Sequence, residues 1–510
     1  MKTGIKRNSK KIVVIMLSVA MLVVFAGFNM DDNAYAADTT GTVKVDNYNM
    51  AVQLNTEKNV LNESITVRLV NNTGNDLDRV CFRNFAASII KQKGTSEESS
   101  TVNSIIDAGT GSKLEVKAGD DTSVVYALLG SNTFKNGDTM TLKLDCTTSV
   151  PKVNDRFGYH QNKYGKLYNL SFCFPTLSMY KNGKWNENPY FDDGESRSAS
   201  CTDYHVTFKA PSDYTVAATG VESSDGNGTT EINASSIRDF AIVAGNYLKK
   251  ETATSDGVTI NSYYFSYNKN KNYEKLAIGS AIDSVKMFDR YFGKYPYSEL
   301  DVTQASFGYN TGGMEYPGLV MIGGDDFVSA KGNPYYEETA LTVAHEVGHE
   351  WFFATVGNDE YKEAWLDEGF ASYCESLIYG TSGCKSQMKA LKLDKVNTTV
   401  KNVRKGKAAY GYMKELNKAH AGKYYINKPV SKYSDSYSYS EHVYAGGELF
   451  IYDLKTAMGA GDFHKAVKEY YQDYYLKEAT TKDFLNVITK YDNSKKVKNV
   501  INRFIDKKYL

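Results

Sequence analysis

Within five residues, His345-Glu346-Val347-Gly348-His349 places two imidazoles and a carboxylate. On a helix, residues four apart lie on one face, so both rings can meet one cation. Glu346, one position round, then faces the cation's open coordination position, where a carboxylate can take a proton from bound water. A catalytic zinc needs three protein ligands and one open position. Glu368, nineteen residues after His349 and within Trp365-Leu366-Asp367-Glu368-Gly369-Phe370-Ala371, supplies the third. The pattern predicts one Zn2+ held by His345, His349 and Glu368, with Glu346 as general base of a hydrolysis. An amphipathic helix with two surface histidines would show the first spacing. It would not need a second helix bringing a carboxylate at that distance.

The elements that must carry these residues follow from apolar periodicity. Ile278, Ile282, Val285, Phe288 and Phe292 recur at helical spacing, and Gly293 closes the segment as a C-cap. Asn333-Pro334 suits a helix start, since proline is tolerated in the first turn. That helix is predicted to run through Ala344 and His349 to about Phe353. Another runs from near Glu363 to Ile378 and stops at Gly380. From Gly447 to the C-terminus the chain reads as mostly helical, with Ala479-Thr480-Thr481 as a cap. Residues 431–444 (SKYSDSYSYSEHVY) are biased in composition and predict a loop.

Before about residue 270 the period is two. Ile65, Val67 and Leu69 alternate with polar residues, as do Met140, Leu142, Leu144 and Cys146, and then Tyr204, Val206 and Phe208. Such alternation indicates antiparallel strands with one wet face. The expected fold is therefore multi-domain: a β domain followed by a largely helical α/β domain, without internal repeats.

At 510 residues, with 42% apolar and 24% charged residues, two globular domains are the natural expectation. Sixty basic residues balance sixty acidic ones, which gives no support for a nucleic-acid partner. Lys2, Lys6, Arg7, Lys10 and Lys11 precede an apolar run from Ile12 to Phe28 and the small-residue site Ala34-Tyr35-Ala36. This predicts a signal peptide over residues 1–36 and a secreted or cell-surface protein, with an uncleaved anchor as the alternative. Removing five basic and two acidic residues leaves the remainder near −3, with no basic membrane patch. No transmembrane domain is expected after cleavage. Six cysteines do not make a disulfide framework in a chain this long, and none forms a CxxC pair. Cys374 and Cys384 are close enough in sequence to pair, or are buried thiols.

Residues 312–318 (GGMEYPG), 345–352 (HEVGHEWF) and 365–371 (WLDEGFA), in this order and spacing, resemble the aminopeptidase N family of gluzincin peptidases. Weaker similarity, in YFGKYPYSELDV, SFCFPTL and DYHVTFKAPSDYTVAATG, extends over most of the chain after the leader. The resemblance implies a saddle-like antiparallel β domain over 37–252 and a thermolysin-like zinc peptidase domain over 253–510. It implies removal of N-terminal residues from peptides with a free N-terminus. It places Gly312, Gly313, Met314 and Glu315 at the substrate's amine, with Glu315 holding the ammonium. Chemistry agrees, since an exopeptidase must recognise an ammonium and a carboxylate does so by charge-assisted hydrogen bonding. It assigns the oxyanion to Tyr444 in VYAGGELF, where glycine replaces the usual lysine, with Tyr439 as second candidate.

The sequence departs from the family at Tyr316, usually asparagine, and at Phe353, usually glycine. No second amine-binding residue is evident before Phe174-Pro175. Only 66 residues follow Tyr444, so the family's large C-terminal helical domain is expected to be absent. His442 is a minor candidate for the site. Asp367 and Glu350, beside ligands in sequence, are candidates for orienting the imidazoles. A thermolysin-like endopeptidase is the nearest alternative, against which the amine motif argues. A silent zinc-bearing binding protein is the other, and it would have no need of Glu346.

Overall fold

The protein, seen in a computed structural model, is described over residues 41–194, 199–268, 273–308, 311–323, 335–380 and 423–510. The segment 1–36, expected to be a signal peptide, and Cys384 lie outside these residues. Among the described residues no helix is long and apolar enough to cross a membrane, and the other five cysteines are unpaired thiols.

The alternating segments pair with one another as their patterns require. Val60–Asn71 runs antiparallel to Thr139–Ser149, so Ile65 faces Leu144 and Val67 faces Leu142 across the ladder. All four side chains are buried. Cross-strand apolar pairs of this kind are what stabilise one face of a sheet. These strands belong to an eleven-stranded sheet ending at the edge strand β1 (Val221–Ser224). The sheet is antiparallel except at one seam, where Val43–Asn55 lies parallel to Thr202–Lys209. A parallel pair needs a long connection, and here residues 56–201 separate the partners. Period-two reading gives faces, not partners, so it does not reveal this one parallel seam in an otherwise antiparallel sheet.

A four-stranded sheet, including Gly165–Ser171 and Ala241–Gly245, follows. Next comes a mixed five-stranded sheet in the order β2 (Leu248–Ser255), β3 (Val258–Phe265), β4 (Glu299–Ala305), β6 (Leu319–Gly323), β5 (Gly313–Tyr316). The boundary expected at 252/253 falls inside β2, which pairs along its whole length with β3. Between the parallel strands β3 and β4 runs the helix α1 (Tyr273–Tyr291), a βαβ crossover.

Two helices then carry the chemistry-bearing motifs, α2 (Tyr335–His349) and α3 (Trp365–Gly380). They share one core with α1, in which Phe288, Trp351, Trp365 and Phe370 are completely buried. Residues 431–444 are not a loop. They form short helical turns, Ser436–Ser440 and then a π-helical turn Glu441–Gly446, continuous with α4 (Gly447–Met458). Asp435 starts the run by accepting the Ser438 N–H. Glycines at the crossing bring α4 onto α3: a Cβ on Gly369 would stand 2.9 Å from Gly447 Cα. Only glycine permits that approach, and it sets the turn carrying Tyr444 against the helix carrying Glu368.

Candidate metal centre

The helical spacing does what the sequence requires. His345 and His349 project from the last turn of α2 and Glu368 from the first turn of α3. Their donor atoms converge, with His345 Nε2 and His349 Nε2 3.2 Å apart. Glu368 Oε2 lies 3.1 Å from the first and 3.4 Å from the second.

These donors fit a zinc ion. His345 Nδ1 is 2.8 Å from Glu375 Oε1, and His349 Nδ1 is 3.3 Å from the Phe352 carbonyl oxygen. Both partners accept, so each Nδ1 carries the proton and each Nε2 presents a lone pair. Two lone pairs and a carboxylate oxygen this close repel unless positive charge lies between them. Zinc bonds of roughly 2.0–2.1 Å in tetrahedral geometry place neighbouring ligands about 3.3–3.4 Å apart, close to the triangle seen here. Without a cation between them, the donors take up that positive charge as protons. Burial opposes charge on both imidazoles, yet Glu368, joined at His345 by Glu375, outweighs it. His345 is held well above the usual histidine range and His349 at about 9. Burial works against ionised Glu368 as well, but the two imidazoles hold it far below the usual carboxylate range.

Glu346 lies beside this cluster, buried, and one oxygen each of Glu315 and Glu346 comes within 4.8 Å of a His349 nitrogen and of each other. Burial, opposed by His345 and reinforced by Glu315, pushes the Glu346 carboxyl up to about 8. Gly313 makes room for it, because a Cβ there would stand 2.3 Å from Glu346 Oε1. Gly312, Gly313, Met314 and Glu315 all line the cleft of about 900 Å³ that opens over His345, His349 and Glu368. Tyr444 lines it too. Its hydroxyl donates to Glu368 Oε1, and its ring lies parallel to that of His345 with centroids 5.8 Å apart. Tyr439 is a buried lining residue whose ring meets that of Tyr444 edge-on at 6.0 Å.

The expected imidazole-orienting pair is corrected. Asp367 accepts from Asn358 Nδ2 at 3.2 Å. Glu350 receives the Gly318 N–H on both oxygens at 3.0 Å, tying the end of α2 to the turn after β5. Sequence adjacency to a ligand does not make a neighbour of the ring, because consecutive helical residues point about 100° apart. Glu375 and the Phe352 carbonyl orient the rings instead. Glu375 carried a readable signal, since it lies seven residues after Glu368 and hence on the same face of α3. His442 stacks on Tyr424 at 4.2 Å and is not among the cleft-lining residues. Phe353 packs edge-on against the His349 ring and holds φ at +151°, a conformation that suits glycine.

Partners that orient metal-bound histidines typically govern affinity by 10- to 100-fold. Glu375→Ala is therefore expected to weaken zinc binding by about that factor in competition with a chromophoric chelator. Glu375→Gln, whose amide oxygen still accepts from Nδ1–H, should retain most of the affinity. Equal zinc affinity in Glu375→Ala and the parent would remove Glu375 from this role.

Known proteins share sequence and fold with this chain. Residues 276–504 match the model for the Peptidase family M1 domain. Aminopeptidase M1-B of Oryza sativa subsp. japonica is 29% identical over 254 residues, covering 49% of this chain and 27% of that protein. Aminopeptidase M1 of Arabidopsis thaliana is 26% identical over 249 residues, covering 48% and 26% respectively. This chain thus spans about a quarter of the length of these relatives. The crystal structure of an M1 zinc metallopeptidase from Deinococcus radiodurans superposes with a TM-score of 0.60 at 16% identity. It covers 91% of this chain and 94% of the other, and shows a shared fold.

Proposed function

We propose that this chain, whose residues 276–504 match the Peptidase family M1 domain, is a zinc aminopeptidase that removes residues from the free N-termini of peptides. The observation that carries the reading is the convergence of Glu315, Glu346 and His349 within 4.8 Å. A peptide amine has a reference pKa of roughly 7.7–8 and is largely cationic at neutral pH. A buried carboxylate one residue's length from the reacting centre selects for that charge and fixes which bond is cut.

His345, His349 and Glu368 would hold the zinc, which when bound acidifies a water and polarises the scissile carbonyl. Glu346 takes the proton from the attacking water and delivers it to the leaving amine. Its place in a buried pocket, at a carboxyl pKa raised by burial, suits both halves of that transfer. Tyr444 Oη, already directed at the ligand cluster, donates to the oxyanion as the carbonyl becomes tetrahedral. Glu375 and the Phe352 carbonyl keep the imidazoles in the tautomer that leaves Nε2 free.

Glu315→Gln preserves size and hydrogen bonding but removes the charge. A charged hydrogen bond contributes roughly 1.5–3 kcal/mol, so kcat/KM on aminoacyl-arylamides should fall about 10- to 150-fold with zinc content unchanged. An undiminished kcat/KM in Glu315→Gln would end the amine-recognition assignment.

A further inference from the structure

The second acidic cluster lies outside the cleft. Glu222 on β1, at the edge of the N-terminal sheet, meets Glu299 and Asp301 on β4 of the catalytic sheet. One oxygen from each lies within 4.8 Å of the other two. The neighbouring donors reach only one oxygen of each carboxylate. Tyr263 Oη donates to Glu222 Oε1 at 2.6 Å, and Asn261 Nδ2 donates to Asp301 Oδ1 at 2.8 Å and Glu299 Oε1 at 3.0 Å. The other oxygens of Asp301 and Glu222, Oδ2 and Oε2, are buried without a hydrogen-bond partner, and Asp301 is 0% exposed. Among the described residues no ion pair reaches the three carboxylates. Lys250 sits over the Tyr263 ring at 5.0 Å and its charge acts on Glu299 from there.

Carboxylates cannot donate to one another, so oxygens this close need either a proton or a cation among them. We propose that Glu222, Glu299 and Asp301 bind one hard divalent cation of the calcium class, which braces the N-terminal sheet against the catalytic sheet. The donor set is all carboxylate oxygen, without nitrogen or sulfur, and such sets suit calcium rather than zinc. Asp301 is fixed from below by Asn261, while Glu222 and Glu299 are only partly buried and leave the ion a way in. The site also abuts the amine-recognition strand. The Asp301 N–H donates to the Gly318 carbonyl at 2.8 Å, and Gly318 is the same residue whose N–H is held by Glu350. A cation here would therefore fix the turn after β5 from the side opposite Glu350. Burial, followed by the effect of Glu222, pushes Asp301 well above its usual range and Glu299 up to about 7. That is the cost of gathering these carboxylates with no cation bound among them.

The test uses the full chain with its zinc, dialysed into calcium-free buffer near pH 7.5 and probed with calcium. Equilibrium dialysis against radiolabelled calcium should count about one ion per chain, with zinc content unaltered. Millimolar calcium should raise the unfolding midpoint by several degrees, as expected for a ligand that binds only the folded state. Asp301→Asn and Glu222→Gln should each weaken calcium binding about tenfold or more and abolish the thermal response. In calcium-free buffer Asp301→Asn should unfold no lower than the parent, because the amide keeps the shape and needs neither a proton nor a cation to sit among the carboxylates. Should Asp301→Asn fail to fold, Glu222→Gln on the edge strand decides the question alone. No calcium binding by the parent, or unchanged binding in the variants, overturns the proposal and leaves shared protons as the explanation. Neither result bears on the zinc site.

Discussion

Glu346→Gln should retain one zinc per chain and lose roughly 10²-fold or more of kcat, the usual scale for a general base. Zinc is retained because Glu346 is not among the converging donors, which are His345 Nε2, His349 Nε2 and Glu368 Oε2. The variant also fits the space. Glutamine matches glutamate in shape, and Gly313 leaves no room for a bulkier change beside Oε1. Losing a buried carboxyl with a pKa near 8 should not destabilise the fold. The loss is thus a loss of proton transfer, and a substituted enzyme with full zinc and full activity would refute the assignment. Metal analysis and kinetics on the same sample separate the two readings.

Glu368→Ala and His345→Ala should each lose both metal and activity. A catalytic zinc depends on three protein ligands, and the remaining pair would be held by one helix, or by two helices without the third corner of the triangle. Binding free energy and folding are coupled at such sites, so both variants should also lose the thermal stabilisation that zinc gives the parent. Dialysed protein should contain near-zero zinc by elemental analysis, against one per parent chain. Stoichiometric zinc in both variants would mean that the ligands lie elsewhere.

The convergence of His345 and His349 was legible because helical geometry is local: four residues define a face wherever the helix lies. The apolar alternation of 65–69 and 140–146 was legible for the same reason, and the two stripes pair directly in the sheet. What escaped is set by partners distant in sequence. Glu350 points at Gly318, 32 residues away, and Asp367 at Asn358, and neither direction is encoded beside the ligands. The parallel seam between Val43–Asn55 and Thr202–Lys209 likewise depends on what the intervening strands occupy. The segment 431–444 was misread from composition. Its serines and tyrosines suggest a loop, but Asp435 caps a helical run whose π turn extends into α4. Inserting one residue into a helical turn redirects a side chain, and π turns recur at functional sites for that reason. Here the turn delivers Tyr444 to Glu368. Glu375 is legible by periodicity, since it lies seven residues after Glu368 on the same face of α3.

The central claim, zinc-dependent cleavage set by a free amine, is tested most directly by mass spectrometry of one peptide supplied in two forms. With its N-terminus free, the peptide should yield a ladder shortened one residue at a time from that end, and a chelator should abolish it. With the N-terminus acetylated, which removes the positive charge that Glu315 is proposed to hold, the same peptide should remain essentially intact. Equal turnover of both forms, or internal fragments from the acetylated one, would contradict the account and identify an endopeptidase.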